Sequence, residues 1–269
     1  MGPVSPSSPQ QTAVTDRLRS AGCVFAEDEA GLLIAAARTP AELGDLVEQR
    51  VEGRPLEHVL GWAELCGIRV AVDPGVFVPR RRTELLVRQA IDLALAVATP
   101  PPVIVDLCCG SGAVGVVLAA TSGPVELHAV DIDPAAASNA RRNLAAAGAH
   151  VHQGDLYAPL DPTLRGRVDI LVANAPYVPT DAIGLLPQEA RLHEARVALD
   201  GGTDGLDVHR RVAAAAVRWL VPGGHLLIET SGEQAAAAAE MFSRVGLAPR
   251  VVRSEELDAT VVIGTKPCA

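Results

Sequence analysis

The sequence predicts an α/β fold built on a doubly wound, mostly parallel sheet, and three observations lead there. Short apolar runs, such as Val103-Ile104-Val105-Asp106-Leu107 and Val168-Asp169-Ile170-Leu171-Val172-Ala173, alternate with longer helix-patterned stretches. Strands separated by helices pair in parallel, because each crossover returns the chain to the same edge. A glycine pair, an acid or an asparagine follows each successive run, where ligands of such sheets bind. The 269 residues are 49% hydrophobic and 20% charged, which suits a large core and excludes wholesale disorder.

Residues 1–11 are Pro/Ser-rich at their start and are expected to be a disordered tail. Residues 12–75 are expected to be a small helical N-terminal domain with a hairpin linker, and 76–269 the main α/β domain. Within the first, Leu18, Val24, Leu32, Leu33, Leu43, Leu46 and Val47 recur at helical spacing. Thr39-Pro40 starts a helix that Gly53-Arg54-Pro55 ends. Leu65–Val72 and Val76–Val78 read as a hairpin turning at Asp73-Pro74-Gly75. Thr83 reads as the N-cap of a helix reaching Val97.

The second part alternates from Val103 onward. Strands are predicted at 103–107, 125–131, before Gly154, at 168–173 and at 225–229; helices at 113–120, 134–147, 206–220 and 234–245. Pro222-Gly223-Gly224 should end the helix before the 225–229 strand. Residues 251–252 and 260–263 read as a closing hairpin.

Composition narrows the class. A formal net charge of −9 argues against a dedicated nucleic-acid binder. The five cysteines form no Cys-x-x-Cys pair, which suggests reduced thiols and a cytoplasmic setting. No apolar run is long enough to span a bilayer. No Cys/His cluster has metal-ligand spacing, so no metal is expected.

The chemistry concentrates at the ends of the apolar runs. Cys108-Cys109-Gly110-Ser111-Gly112 follows the first: glycines let backbone approach a ligand, and the helix start beyond offers N–H groups. It is neither a Walker loop nor Gly-x-Gly-x-x-Gly. Asp131 can hold ribose hydroxyls, while Asp133, directly before Pro134, reads as a helix cap. Asp155 can accept an adenine amine, with Leu156 packed on the ring. Asn174-Ala175-Pro176-Tyr177 ends the fourth run. Its Asn oxygen and next backbone carbonyl can each accept one N–H of a planar NH2 group, and its Tyr can stack on the plane. The order implies an adenosine cofactor held without a phosphate-binding lysine, and a reacting NH2; S-adenosylmethionine meets both conditions. His193 and His209 lie outside these motifs and are expected at the solvated surface.

From about Leu46 onward the chain resembles the protein-(glutamine-N5) methyltransferases, the HemK/PrmC-like family of class I methyltransferases. Gly53–Gly61, Val78-Pro79-Arg80-Arg81-Arg82-Thr83-Glu84, Asp106–Gly112, Val130–Pro134, Gly154–Leu156, Asn174–Tyr177 and Ala198–Leu206 carry the resemblance. It implies a Rossmann-like, seven-stranded sheet and S-adenosylmethionine bound by Cys108–Gly112, Asp131, Asp155, Leu156 and Asn174. Arg80 and Thr83 of the junction between the domains would lie across the cofactor cleft. The reaction it implies is methyl transfer to a glutamine side-chain amide of a protein, a release factor or a ribosomal protein. Ala175 stands where the family has Pro, Arg81 where it usually has Pro, and Cys108-Cys109 precede Gly110 in the glycine loop. Two other substrates stay open: a small-molecule amide or amine, and DNA adenine, against which the net charge counts.

Overall fold

The computed structural model describes residues 9–98 and 101–268. Four helices come first: α1 (Pro9–Ser20), α2 (Ala26–Ala36), α3 (Pro40–Val51) and the short α4 (Leu56–Leu60). Thr39 caps α3, its hydroxyl accepting from Glu42 N–H at 3.1 Å. Leu18, Leu33, Leu43 and Val47 close a small core between α1, α2 and α3. Helix α1 begins at Pro9, so the last three residues of the expected 1–11 tail are helical; residues 1–8 lie outside those described.

The hairpin differs from expectation. Its strands are β1 (Trp62–Leu65) and β2 (Ile68–Ala71), and it turns at Cys66-Gly67, with φ of 51° and 77°. Two consecutive positive φ angles match the twist of a two-residue hairpin. Cys is a rare choice there, which hid the turn. Ala63, Leu65, Val70 and Val72 join the core of the main sheet rather than that of the helical bundle, so the packing boundary falls near Gly61.

Helix α5 (Glu84–Leu95) follows a short 3-10 turn at Arg81–Thr83. Thr83 is buried and makes no capping hydrogen bond; its hydroxyl is engaged in the site instead. The main sheet contains β3 (Val103–Leu107), β4 (Glu126–Asp131), β5 (His150–Gln153), β6 (Val168–Ala173), β7 (Leu220–Thr230), β8 (Ala248–Ser254) and β9 (Ala259–Thr265). Its order is β5-β4-β3-β6-β7-β9-β8, parallel except for β9, which is antiparallel to both neighbours. Helices α6 (Ala113–Thr121), α7 (Pro134–Leu144), α8 (Gln188–His193), α9 (Asp207–Trp219) and α10 (Ala235–Arg244) fill the connections. Side chains alternate across the sheet: Ile104, Ile170 and Leu227 enter one core, and Val105, Leu171 and Ile228 the other.

Pro222-Gly223-Gly224 does not separate helix from strand. Helix α9 stops at Trp219, and these residues bulge within β7, where the register against β6 jumps from Val168–Leu220 to Ile170–His225. The bulge is held by Gly223 N–H to the Lys266 carbonyl and Lys266 N–H to the Gly224 carbonyl.

Strand order reverses between β3 and β6, which opens a crevice at their C-terminal ends. The register puts Leu107 beside both Val130 and Ala173, and Asp131 beside Gln153. Cys108, Asp131, Gly154 and Asn174 therefore emerge at one level.

Candidate active site

The crevice holds a cleft enclosing about 1060 Å³ including its open mouth, room for a nucleoside-sized ligand. Cys108, Cys109, Gly110, Ser111, Asp131, Asp155, Leu156 and Asn174 line it, as does Thr83 of the junction. Arg80 does not: it lines a second cavity beside the cleft, where its guanidinium meets the buried Glu194 at 2.6 Å. Arg82, Ala175 and Tyr177 also line that cavity. Phe77, Asn174, Pro176 and Ala198 belong to both walls.

The glycine loop is shaped by its backbone. Cys108, Gly110 and Gly112 all have positive φ. A Cβ on Gly112 would meet Ala140 and Leu144 of α7 at 3.1 Å, so this glycine brings the loop down onto the helix. A Cβ on Gly110 would meet nothing within 4 Å and would project into the cleft. Asp131 fixes the loop: its Oδ2 accepts Gly110 N–H at 2.8 Å and its Oδ1 accepts Asp133 N–H at 2.9 Å. Each oxygen retains a lone pair for a hydroxyl. Asp133 caps α7 through Ala135 N–H. Burial pushes both the Cys108 and the Cys109 thiols upward, so neither is a thiolate near neutrality. Asp155, half-exposed, is paired with Arg211 of α9.

A cleft with a side-chain-free glycine cradle, an acid at the ribose position and an apolar floor at Leu156 fits S-adenosylmethionine. Cys108–Ser111 would lie along it, Asp131 would hold its ribose and Leu156 would back its adenine; Gly112, expected in the same cradle, is turned onto α7 and does not line the cleft.

The tetrad is braced on every side. Asn174 Nδ2 donates to Thr83 Oγ1 at 3.2 Å, and the Tyr177 hydroxyl donates to Glu229 Oε1 at 3.0 Å. The Gly201–Gly205 loop wraps the tetrad backbone: Gly201 N–H reaches the Val178 carbonyl, and Gln234 Nε2 reaches the Tyr177 carbonyl. A Cβ on Gly201 would lie 2.7 Å from the Pro176 oxygen, and one on Gly205 would collide with the Tyr177 oxygen. These glycines are there because the tetrad leaves no room for a side chain.

His209 is not at the surface. It is fully buried, its Nε2 is 3.1 Å from the Glu229 carbonyl, and burial lowers its pKa to about 4. A neutral ring there is part of the wall behind Tyr177. His193 is partly buried at the end of α8.

Sequence reasoning missed four supports. Glu194 accepts Val78 N–H as well as Arg80, pinning the junction. Asn139 and Asn143 of α7 bond the backbone of Ala71 and Asp73, and Asn143 also reaches the Ser111 carbonyl. Glu229 is the fourth. Asn and Glu in these places carried no distinguishing local pattern.

The methyltransferase small domain family matches residues 68–204, half of the chain. A release factor glutamine methyltransferase of Geobacter sulfurreducens is 39% identical over 203 residues, 75% of this chain and 69% of that protein. This chain belongs to the release factor glutamine methyltransferase family. As a member it is a methyltransferase, and its cofactor is S-adenosylmethionine. A second relative is the 4-amino-L-phenylalanine/4-methylamino-L-phenylalanine methyltransferase of Streptomyces pristinaespiralis, 36% identical over 78% of this chain and 73% of its own. Among solved structures, the 16S rRNA N2 G1207 methyltransferase of T. thermophilus superposes with a TM-score of 0.53 at 22% identity. It spans 76% of this chain and 49% of that one, a likeness of fold. Among the described residues no helix is long and apolar enough to cross a membrane.

Proposed function

We propose that this chain methylates the side-chain amide nitrogen of a glutamine in a peptide chain release factor. One observation carries the reading: Asn174 lies in the wall shared by the cofactor cleft and the second cavity. An NH2 group gripped there faces the cleft. Its two N–H groups would be accepted by the Asn174 oxygen and the Ala175 carbonyl. Among the described residues, no backbone N–H uses that carbonyl.

An amide nitrogen is a poor nucleophile because its lone pair is delocalised. The site answers by positioning, and by placing two oxygen dipoles against the charge that develops on nitrogen. S-adenosylmethionine supplies the electrophilic methyl group. With the cofactor bound, the Asn174 oxygen and the Ala175 carbonyl would hold the nitrogen toward its methyl group and offset the positive charge that grows on nitrogen.

A macromolecular substrate is supported by the cavity rim. Leu185 and Leu192 are 86% and 63% exposed on either side of the cavity-lining Leu186 and Ala190. We place the enzyme in the cytosol, a setting supported by its five free thiols. A ribosomal protein is the other protein substrate within this reading, and the net charge of −9 speaks against nucleic acid. The Streptomyces pristinaespiralis relative favours a second reading, a small aromatic amine held by the same tetrad.

Incubation with labelled S-adenosylmethionine and a release factor, a ribosomal protein, DNA or 4-amino-phenylalanine separates these. We expect label on the release factor, absent when its accepting glutamine is replaced by alanine. Label only on the amine would replace this reading by the second.

A further inference from the structure

Three arginines stand in a row at the junction, and the fold sends each to a different place. Arg80 Nη2 meets the buried Glu194 Oε1 at 2.6 Å. Arg81 Nη2 turns outward to Glu256 Oε1 at 3.5 Å, where both side chains are exposed. Arg82 lines the second cavity, and among the described residues it stands in no ion pair.

The wall of that cavity holds three charged side chains, Arg80, Arg82 and Glu189. Arg80 is committed to Glu194, and Glu189 to Arg50 at 2.8 Å. Arg82 is the cation left over. Its field reaches Tyr177 and Glu229, but Glu229 is buried outside the cavity wall and does not occupy the guanidinium. Phe77, Leu186 and Pro187 make much of the remaining wall apolar, which strengthens a charge interaction relative to open water. Arg82 is also close to the reacting group. Thr83 Oγ1 accepts from Asn174 Nδ2 at 3.2 Å. The Cα of Arg82 is one peptide unit, about 3.8 Å, from that of Thr83. A group held by Arg82 therefore shares one cavity with an NH2 held by Asn174 and Ala175. A guanidinium is a planar fork of N–H donors with no acceptor, and a carboxylate is its matched partner.

We infer that Arg82 is a specificity residue: it takes a carboxylate that the substrate carries beside the reacting NH2. In a protein substrate that carboxylate is an acidic side chain next to the glutamine. In a free amino acid it is the α-carboxylate. The inference rests on the NH2-gripping reading of the tetrad and adds the chemistry of the neighbouring group.

The test is a ratio measured within one enzyme, so that damage to fold or cofactor binding cancels. Peptides blocked at both ends, with a central glutamine flanked by glutamate, alanine or lysine, are compared by kcat/KM. Wild type should favour the glutamate peptide over the alanine one by about fivefold, the upper end of an exposed ion pair. The lysine peptide should be the poorest, and added salt should shrink the preference. Arg82→Gln should abolish it, Arg82→Lys should keep part of it, and Arg82→Glu should turn it toward lysine. The free amino acid as source is read from 4-amino-phenylalanine against its carboxamide, with the same variants. No preference for the carboxylate in either wild-type series, or a preference that survives in Arg82→Gln, would overturn the inference. If the wild-type protein methylates no glutamine, the functional reading fails by itself, and the amino-acid pair decides the role of Arg82. If neither series is turned over, the same comparisons are made by calorimetric binding to the protein saturated with S-adenosylhomocysteine. An acidic peptide and an amino acid that bind no better there than their uncharged twins would refute it.

Discussion

Arg50 of the helical bundle reaches Glu189 in the wall of the second cavity, with Nη2 2.8 Å from Oε1. The same guanidinium is buried against Glu29 at 2.6 Å and donates to the Arg54 carbonyl. One side chain therefore closes the bundle and braces the cavity. The two bonds should separate under mutation. Glu189 is 42% exposed, so Glu189→Gln should cost less than about 1 kcal/mol of stability. It should raise KM for the protein substrate and leave S-adenosylmethionine affinity alone. Arg50→Met strands Glu29 as a buried, unpaired charge and should destabilise by about 3–5 kcal/mol. Denaturant unfolding with steady-state kinetics checks both; an unchanged KM in Glu189→Gln would detach the bundle from substrate binding.

Asp131 carries a second prediction. Asp131→Ala removes an acceptor for ribose hydroxyls and releases Gly110 N–H and Asp133 N–H. Losing the charge-assisted bonds to ribose should weaken S-adenosylmethionine binding by roughly 1.5–3 kcal/mol. The freed glycine loop adds to that loss. Unchanged affinity by calorimetry would remove Asp131 from the site.

What was legible in the sequence was local. The strand at 103–107, the acids at the strand tips and the tetrad are contiguous words, and the register places them at one level. What joins them was not legible. Thr83 meets Asn174 across 91 positions and Tyr177 meets Glu229 across 52. Thr83 before a helix reads as a cap because local geometry permits one; tertiary packing gave its hydroxyl another partner. His209 reads as a surface residue because it lies outside every motif, yet it is on the buried face of α9. Arg80 follows the same motif as Thr83, but the 3-10 turn between them sends the two side chains to different cavities.

Asp106 makes stability depend on pH. It is fully buried, and desolvation pushes its carboxyl up to about 7, with Gly115 N–H opposing the rise. The unfolded carboxyl titrates near 3.8, so between the two values the folded protein holds the extra proton. Stability from this group is present below about pH 4 and lost as pH rises through about 7. Asp106→Asn keeps the shape and cannot ionise. It should flatten the fall in unfolding free energy between pH 5 and 7 (roughly the window those two values define). An identical pH slope in wild type and variant would show that Asp106 is not the titrating group.

Asn174 and Ala175 together test the chemistry. Asn174→Ala deletes one preorganised dipole aimed at the reacting nitrogen and should lower the methyl-transfer rate on the order of a hundredfold or more. Cofactor affinity should barely change, because the dipole matters most as the nitrogen becomes cationic. Ala175→Pro makes the opposite kind of change: it keeps the carbonyl and removes an N–H. Among the described residues that N–H has no hydrogen-bond partner, and Ala175 is 1% exposed. Removing an unpaired donor from a buried site sacrifices nothing, and a fixed φ lowers the entropy of the unfolded chain. Ala175→Pro should therefore keep its activity and unfold no earlier than wild type. If Asn174→Ala folds and retains full activity on a glutamine-bearing release factor, the amide is not gripped by the tetrad. If Ala175→Pro loses activity while Asn174→Ala does too, the buried ring has displaced the carbonyl, and a crystal structure of that variant would show it.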